Sequence, residues 1–334
     1  MLAIAREGLP RHPGIKVRII PTEDLTQELA VKVPLDKTLA DYTDGENGAV
    51  RAWLNNSIIR WQGKLLMAYR MECFPFWRNG RTGMCELTEE FDPIPGTASV
   101  LPVPGRLAYG ESEDPRFVVL NGRLHLAYNN GCRQHLSCFN EDLSIGPTVQ
   151  IGATFPLAKR EKNWSFFSHD SHVYAVYSCS PHHVVRIFTN VADPASKEPW
   201  PFEWPFGIPR GGASPVLHDG LWYHFFHSAV NRLTGATDEK WLNPRRYFMG
   251  LYTFEDRPPF RPVECTRLPL LCGENNPPWP PTRNRWPSNH LVVFPSGAYR
   301  NDANDGWIVS AGINDCYSSV ITIPDRVTEE LLAP

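Results

Sequence analysis

The sequence predicts an all-β chain folded as a five-bladed β-propeller with an N-terminal arm, and three observations carry that expectation. The 334 residues include 32 prolines, 24 glycines, 17 phenylalanines, 11 tryptophans and 11 tyrosines, a composition of short strands and frequent turns. Runs of helical period are scarce. One hairpin unit recurs five times at a spacing of ~50 to 75 residues, which fits the blades of a propeller better than a sandwich.

Each unit has a polar lead-in, an apolar strand, a tight turn and an aromatic-rich second strand. The first runs Asn55-Asn56-Ser57-Ile58-Ile59, turns at Gln62-Gly63-Lys64 and returns over Leu65 to Arg70. In the second, Glu113-Asp114-Pro115-Arg116 leads through Asn121-Gly122-Arg123 to a strand ending at Asn130. The third leads from Lys162-Asn163-Trp164-Ser165 through His169-Asp170-Ser171-His172 to Tyr177. The fourth starts at Gly211-Gly212, turns at Asp219-Gly220 and ends at Ser228. The fifth starts at Asn289-His290, makes a longer turn through Gly297 and Asp305-Gly306, and ends at Gly312. Further strand-like text follows each hairpin, at 83–87, 134–139, 184–189, 247–254 and 318–323. Residues 1–51 carry no such unit and read as an arm or lid; 52–334 read as the propeller.

Composition narrows the partners. With 33 basic and 36 acidic residues the net charge is −3, so no global field gathers a polyanion and nucleic acid is not an expected partner. No apolar run reaches the ~18 residues of a membrane span, and the N-terminal stretch lacks a secretory apolar core. The eight cysteines are scattered without a Cys-x-x-Cys pair. Together these features predict a cytoplasmic protein with reduced thiols and no membrane partner. Phosphate-binding loops, dinucleotide fingerprints, nucleophile elbows and His-Glu-x-x-His are absent, which removes kinase, dehydrogenase, serine hydrolase and zincin readings.

In a propeller the innermost strands line the centre, so the five lead-ins converge on one polar site. Strand alternation places Asp114 and Arg116 on one face and Glu113 on the other. A carboxylate two residues from an arginine is either a blade-stabilising ion pair or a working acid. A repeat whose equivalent positions are all polar favours the acid. Arg133 and Lys162 aim two cations at the same centre, suited to phosphate or an acidic sugar. His224 and His227 fall on opposite faces of their strand, and His227, at the strand end, is the one expected to face the site. His182-His183 is split by the same alternation, so no metal is expected. Asp315 follows small residues at the end of the last hairpin, where a ligand can approach.

These motifs, in this order, resemble glycoside hydrolase family 130, the β-mannoside phosphorylases and related mannosidases, from about Asn55 to the C-terminus. Asn56-Ser57 resembles the family's Asn-Ser, and Ser112-Glu113-Asp114-Pro115-Arg116 resembles its Gly-x-Glu-Asp-Pro-Arg. Lys162-Asn163 resembles its Lys-Asn strand. The segment from Gly211-Gly212 through Trp222 to Phe226-His227-Ser228 resembles its glycine-rich fourth blade. Ala311-Gly312-Ile313-Asn314-Asp315 resembles its late Tyr-Gly-Ala-Ala-Asp. Ser112 in place of glycine, and Ala213-Ser214 in place of two prolines, mark an outlying branch.

The resemblance implies an inverting enzyme acting on a small β-linked oligosaccharide, with Asp114 as general acid relayed through a sugar hydroxyl. It implies substrate contacts from Asn56, Ser57, Arg70, Glu113, Arg116 and Asp315. Arg133, Lys162 and His227 would hold inorganic phosphate as co-substrate, and no cofactor is implied. A mannosidase using water, a mannosyltransferase using a sugar nucleotide, and a non-catalytic sugar-binding propeller stand as alternatives. A furanosidase-type propeller needs three central carboxylates, and beyond Asp114 and Asp315 the sequence offers only Glu113, on the opposite face, which is not a convincing third.

Overall fold

The structure is a computed structural model that describes residues 12–22, 25, 50–73, 81–104, 112–237, 244–273 and 291–333. Five separate sheets follow one another along the chain, each an antiparallel meander built on a tight hairpin. Blade one comprises Val50–Trp61, Lys64–Cys73, Arg81–Leu87 and Ser99–Val100. Blade two comprises Glu113–Leu120, Arg123–Asn129, Gln134–Phe139 and Ile145–Gln150. Blade three is Ser165–His169, His172–Ser178, His182–Phe188 and Val191–Glu198, with Gly152–Ala153 added in parallel at its outer edge. Blade four is Val216–His218, Leu221–Asn231, Arg245–Glu255 and Pro262–Thr266. Blade five is Val293–Arg300, Gly306–Ile313 and Tyr317–Pro324.

The turns form where the sequence places left-handed residues. Gln62-Gly63, Asn121-Gly122, Asp170-Ser171 and Asp219-Gly220 all have positive φ at both central positions, the backbone that two-residue hairpins require. Blade five departs from expectation. Its turn lies at 301–305, and Gly297 sits inside the strand at a register shift rather than in the turn. Asn289 and His290 lie outside the described residues.

Both ends of the chain join sheets. Lys16–Ile19 pairs antiparallel with Tyr317–Pro324, so part of the segment read as an arm is the outer strand of blade five. Leu332–Ala333 follows the short helix Asp325–Leu331 and pairs with Pro262–Thr266 of blade four. The N-terminal strand thus closes the ring by completing its last blade. A four-residue strand with no hairpin partner nearby in sequence leaves no repeat signal, which is why it reads as an arm.

The core is five interfaces rather than one centre. One apolar cluster joins blades one and two through Leu66, Phe117 and Leu126. Blades two and three meet through Val118, Leu136, Trp164 and Phe166. Blades three and four meet through Phe167, Trp222, Tyr252 and Phe254. Phe225, Met249, Trp307 and Val309 join blades four and five, and Ile58, Met67, Ile308 and Val320 join five to one. Burying these faces supplies the non-directional drive, at roughly 25 cal/mol per Å² of apolar surface. The hydrogen bonds between blades fix the register.

Those bonds run around the ring. The Ser57 hydroxyl accepts from the Phe117 N–H at 2.9 Å. Arg116 Nη1 donates to the Trp164 carbonyl at 2.9 Å, and the Ser165 hydroxyl donates to the Gly212 carbonyl at 3.3 Å. Tyr247 and Leu291 bridge blades four and five through a 2.9 Å N–H to carbonyl bond. Ser296 Oγ donates to the Asn56 carbonyl at 2.8 Å, and Ser310 Oγ accepts from the Ile58 N–H at 3.0 Å.

Candidate active site

The first strands of blades one to three share a local device. Asn55, Asp114 and Asn163 have φ of 52°, 53° and 65°, the left-handed region that Asn and Asp tolerate best among side-chain-bearing residues. Strand pairing shifts register between Leu54 and Ser57, and again between Glu113 and Arg116. Each is a bulge that re-aims side chains. Two residues further on, Ser57, Arg116 and Ser165 each form one of the bonds between blades described above. The pattern Asn-x-Ser, Asp-x-Arg, Asn-x-Ser aligns Asn55, not Asn56, with Asp114.

Asp114 is 8 % exposed. Its Oδ1 accepts from the Asn55 amide at 2.7 Å and lies 3.5 Å from Arg70 Nη1. Oδ2 has no hydrogen-bond partner among the described residues. Burial pushes the carboxyl upward. Arg70, Lys162, Arg116 and the Asn55 hydrogen bond outweigh burial and hold it below the usual Asp value.

Glu113 does not point away. The bulge turns it to the same side, where it pairs with Lys162 and lies 3.4 Å from Arg70 Nη2. Alternation fails here because the left-handed residue breaks the pleat. Arg70 therefore spans two carboxylates, and Lys162 from the next blade neutralises one of them. Arg116 is 3 % exposed and turns toward blade three, with its Nη2 3.3 Å from Asn163 Oδ1 and its guanidinium 5.4 Å from the Phe294 ring. Burial lowers its pKa to about 10, against the opposing pull of Asp114 and Cys179, so it remains a cation at neutral pH.

Other expected contacts have different partners. The Asn56 side chain is fully buried; its amide donates to the Ser319 carbonyl at 3.1 Å, and its Oδ1 accepts from the Ser319 N–H at 3.0 Å. Asn56 and Ser57 are clasps between blades, not ligand contacts, because both hydrogen-bonding sides face neighbouring strands. Arg133 donates through Nη1 to the carbonyls of Cys132 and Ala158. It clamps the loop before Lys162 and is not among the charges acting on Asp114. Asp315 sits in a left-handed turn after Asn314, and its charge bears on Tyr247. A Cβ on Gly312 would stand 1.9 Å from Asn55 Oδ1, so Asn55 fills that space.

His227 packs 4.7 Å from the Phe294 ring and stacks at 5.9 Å on Tyr247, with Nδ1 unpartnered among the described residues. Burial drives its pKa well below the ordinary histidine value; Arg210 and Arg116 add to that, and Asp114 opposes it. It is a neutral imidazole at pH 7, not the cation expected from sequence. His224 faces elsewhere, bonded to Tyr252 at 2.9 Å and Ser165 at 3.0 Å. Three groups were missed in the sequence: Asn55, Tyr247 and Arg210. The repeat pattern above finds Asn55. Arg210 precedes the glycine pair that marks blade four, and Tyr247 follows Arg245-Arg246. Among the described residues no three His, Cys, Asp or Glu side chains come together as a metal site.

No family model matches the chain, and no curated protein does. Solved structures do. A β-1,2-mannobiose phosphorylase from Listeria innocua, in complex with β-1,2-mannobiose, is 14% identical with a TM-score of 0.62; the match covers 94% of this chain and 99% of that one. A structure described under the family 130 mannoside phosphorylases, containing glycoside hydrolases that target β-1,2 mannosidic linkages in Candida mannan, is 14% identical with a TM-score of 0.58, covering 82% and 85%. A GDP-Man-dependent mannosyltransferase from Leishmania mexicana is 14% identical with a TM-score of 0.56, covering 82% and 85%. The chain is thus a five-bladed β-propeller with a carboxylate and cation cluster where blades one, two and three meet. Its fold is the one these mannoside-handling proteins share.

Proposed function

We propose that the protein is a carbohydrate-active enzyme that cleaves β-linked mannosides or similar small oligosaccharides by inverting phosphorolysis, with Asp114 as the acid. One observation carries the reading: a buried carboxylate on an inner strand, ringed by Arg70, Lys162 and Arg116, with one oxygen anchored and the other unbonded. The likeness in fold to mannoside phosphorylases supports the choice of substrate class.

In this reaction Asp114, ionised in the free protein, takes up a proton from solvent once bound phosphate offsets the cations around it, and gives that proton, by way of a sugar hydroxyl, to the glycosidic oxygen as the bond from that oxygen to the anomeric carbon breaks. A phosphate oxygen forms the new bond from the opposite face. The products are an α-sugar 1-phosphate and the shortened sugar with its hydroxyl restored. Cations suit this role because they orient phosphate and spread its charge, whereas a hydrolase needs a base for water. Lys162 and Arg210 are the side chains proposed to hold phosphate, with His227 as a neutral hydrogen-bonding neighbour. Arg70, Glu113 and Asp315 are proposed to meet sugar hydroxyls.

Incubation with β-1,2-mannobiose, with and without phosphate, tests the reading. Phosphate-dependent release of a sugar 1-phosphate is the expected result. Equal cleavage in phosphate-free buffer would replace phosphorolysis by hydrolysis. Transfer only from a sugar nucleotide would make the protein a mannosyltransferase. Binding without turnover across a broad glycan panel would make it a sugar-binding propeller.

A further inference from the structure

We infer that Asn55 is a positioning residue that pins Asp114 by one oxygen, so that Oδ2 is the atom that carries and delivers the proton. The inference rests on the reading of Asp114 as the acid. No motif or resemblance pointed to Asn55; the geometry does.

The Asn55 amide meets Oδ1 at 2.7 Å inside a buried contact, and Arg70 approaches the same oxygen at 3.5 Å. Oδ2 takes part in no hydrogen bond among the described residues. A carboxyl held this way has one degree of freedom removed and one oxygen assigned, which is the preorganisation proton transfer needs. The surrounding chain is shaped to keep it so. Asn55 and Asp114 are both left-handed, at φ 52° and 53°, and each follows or contains a register shift that turns its side chain toward the other. Gly312 of blade five is the seat: any Cβ there would meet Asn55 Oδ1 at 1.9 Å and its backbone nitrogen at 2.8 Å. Three blades thus contribute to a single hydrogen bond.

The charged and titratable groups facing Asp114 come from several elements: Glu113 and Arg116 on its own strand, Arg70 from blade one, Lys162 ahead of blade three and His227 from blade four. Asn55 differs from all of these in being uncharged. Its N–H favours the ionised carboxylate, so its loss raises the pH up to which Asp114 stays protonated. Position and acidity therefore respond in opposite senses when Asn55 is removed. General loss of structure does not produce that signature.

Asn55→Gly is the clean test, because glycine keeps the left-handed backbone while deleting the amide. The expected result is a fall in kcat of ~10- to 100-fold from a misplaced acid, with the alkaline limb of the pH–rate profile moved to higher pH. Gly312→Ala, which displaces Asn55 from behind, is expected to move the limb in the same direction. Independently of turnover, ¹³C-carboxyl NMR of the full-length protein, with Asp114 assigned through Asp114→Asn, is expected to show its titration displaced upward in Asn55→Gly. An unmoved Asp114 titration with unchanged kcat overturns the role of Asn55. A wild-type protein that cleaves no glycoside, but whose Asp114 titration moves, fails the reaction and not the contact.

Discussion

Blades two and four each bury ionisable groups, and Asp114 and His227 reach opposite states of charge. Asp114 and Glu113 are 8 % and 9 % exposed, and His227 is 3 % exposed. Around the carboxylates stand Arg70 and Lys162, supplied by the blades on either side. Around His227 stand Tyr247 and Phe294. Burial alone drives both Asp114 and His227 toward neutrality. The cations decide where that succeeds: they overcome burial at Asp114 and reinforce it at His227 and His224. Arg116 acts in both places, lowering the Asp114 carboxyl and the two imidazoles together.

Arg116 acts on both groups at once, so its loss does the most damage. Replacing it with Met leaves Asp114 without one of its three cations and severs the bonds to Trp164 and Asn163. Chemical denaturation is expected to show a loss of ~3 to 5 kcal/mol, as when one partner of a buried charge pair is removed. In the folded variant, NMR is expected to find the titrations of His224 and His227 displaced upward. Stability retained within about 1 kcal/mol, a surface-pair magnitude, would show that Arg116 binds neither blade three nor the charge cluster.

A smaller effect separates the clasps from the site. Asn56→Ala leaves the Ser319 N–H and carbonyl without their side-chain partners, a cost of ~1 to 3 kcal/mol in thermal or denaturant unfolding. The pH–rate profile is expected to stay in place, because Asn56 does not touch Asp114. A displaced profile would return Asn56 to the site.

Acid sharpens the same contrast. His224 and His227 have folded pKa values well below the ordinary 6.5, so the unfolded chain binds protons that the folded chain refuses. Their contribution to stability is complete above about pH 6.5 and drains away as the pH falls further. Asp114, also lowered, loses its contribution only below its ordinary 3.8. Stability is therefore expected to decline in two stages, first below about pH 6.5 and again below about pH 4. A flat stability between pH 7 and 5 would contradict the neutral imidazoles.

Much of the propeller is legible in the sequence because hairpin turns depend on a few residues: Asn121-Gly122 and Asp219-Gly220 sit where their left-handed backbone is needed. The Gln134–Phe139 strand has the bounds its pattern predicts. The cluster around Asp114 is only half legible. Parity along a strand assigns faces only while the pleat is regular, and the bulges at Asn55 and Asp114 shift that count by one. For that reason Glu113 is assigned to the wrong face and Asn56 is read in place of Asn55. Ring closure by Lys16–Ile19 was hidden as well, since a lone strand pairing with residues some 300 positions away leaves no local period. Charge states were hidden because they depend on cations from other blades.

A proton donor matters in proportion to the help the leaving group needs. Wild type and Asp114→Asn would be compared on β-1,2-mannobiose and on an aryl β-mannoside whose phenol leaves without protonation. The expected result is a loss of ~10²- to 10⁴-fold on mannobiose, shrinking to a few-fold on the activated substrate, in a variant that still unfolds cooperatively. An equal loss on both substrates would show that Asp114 holds the site together without acting as its acid.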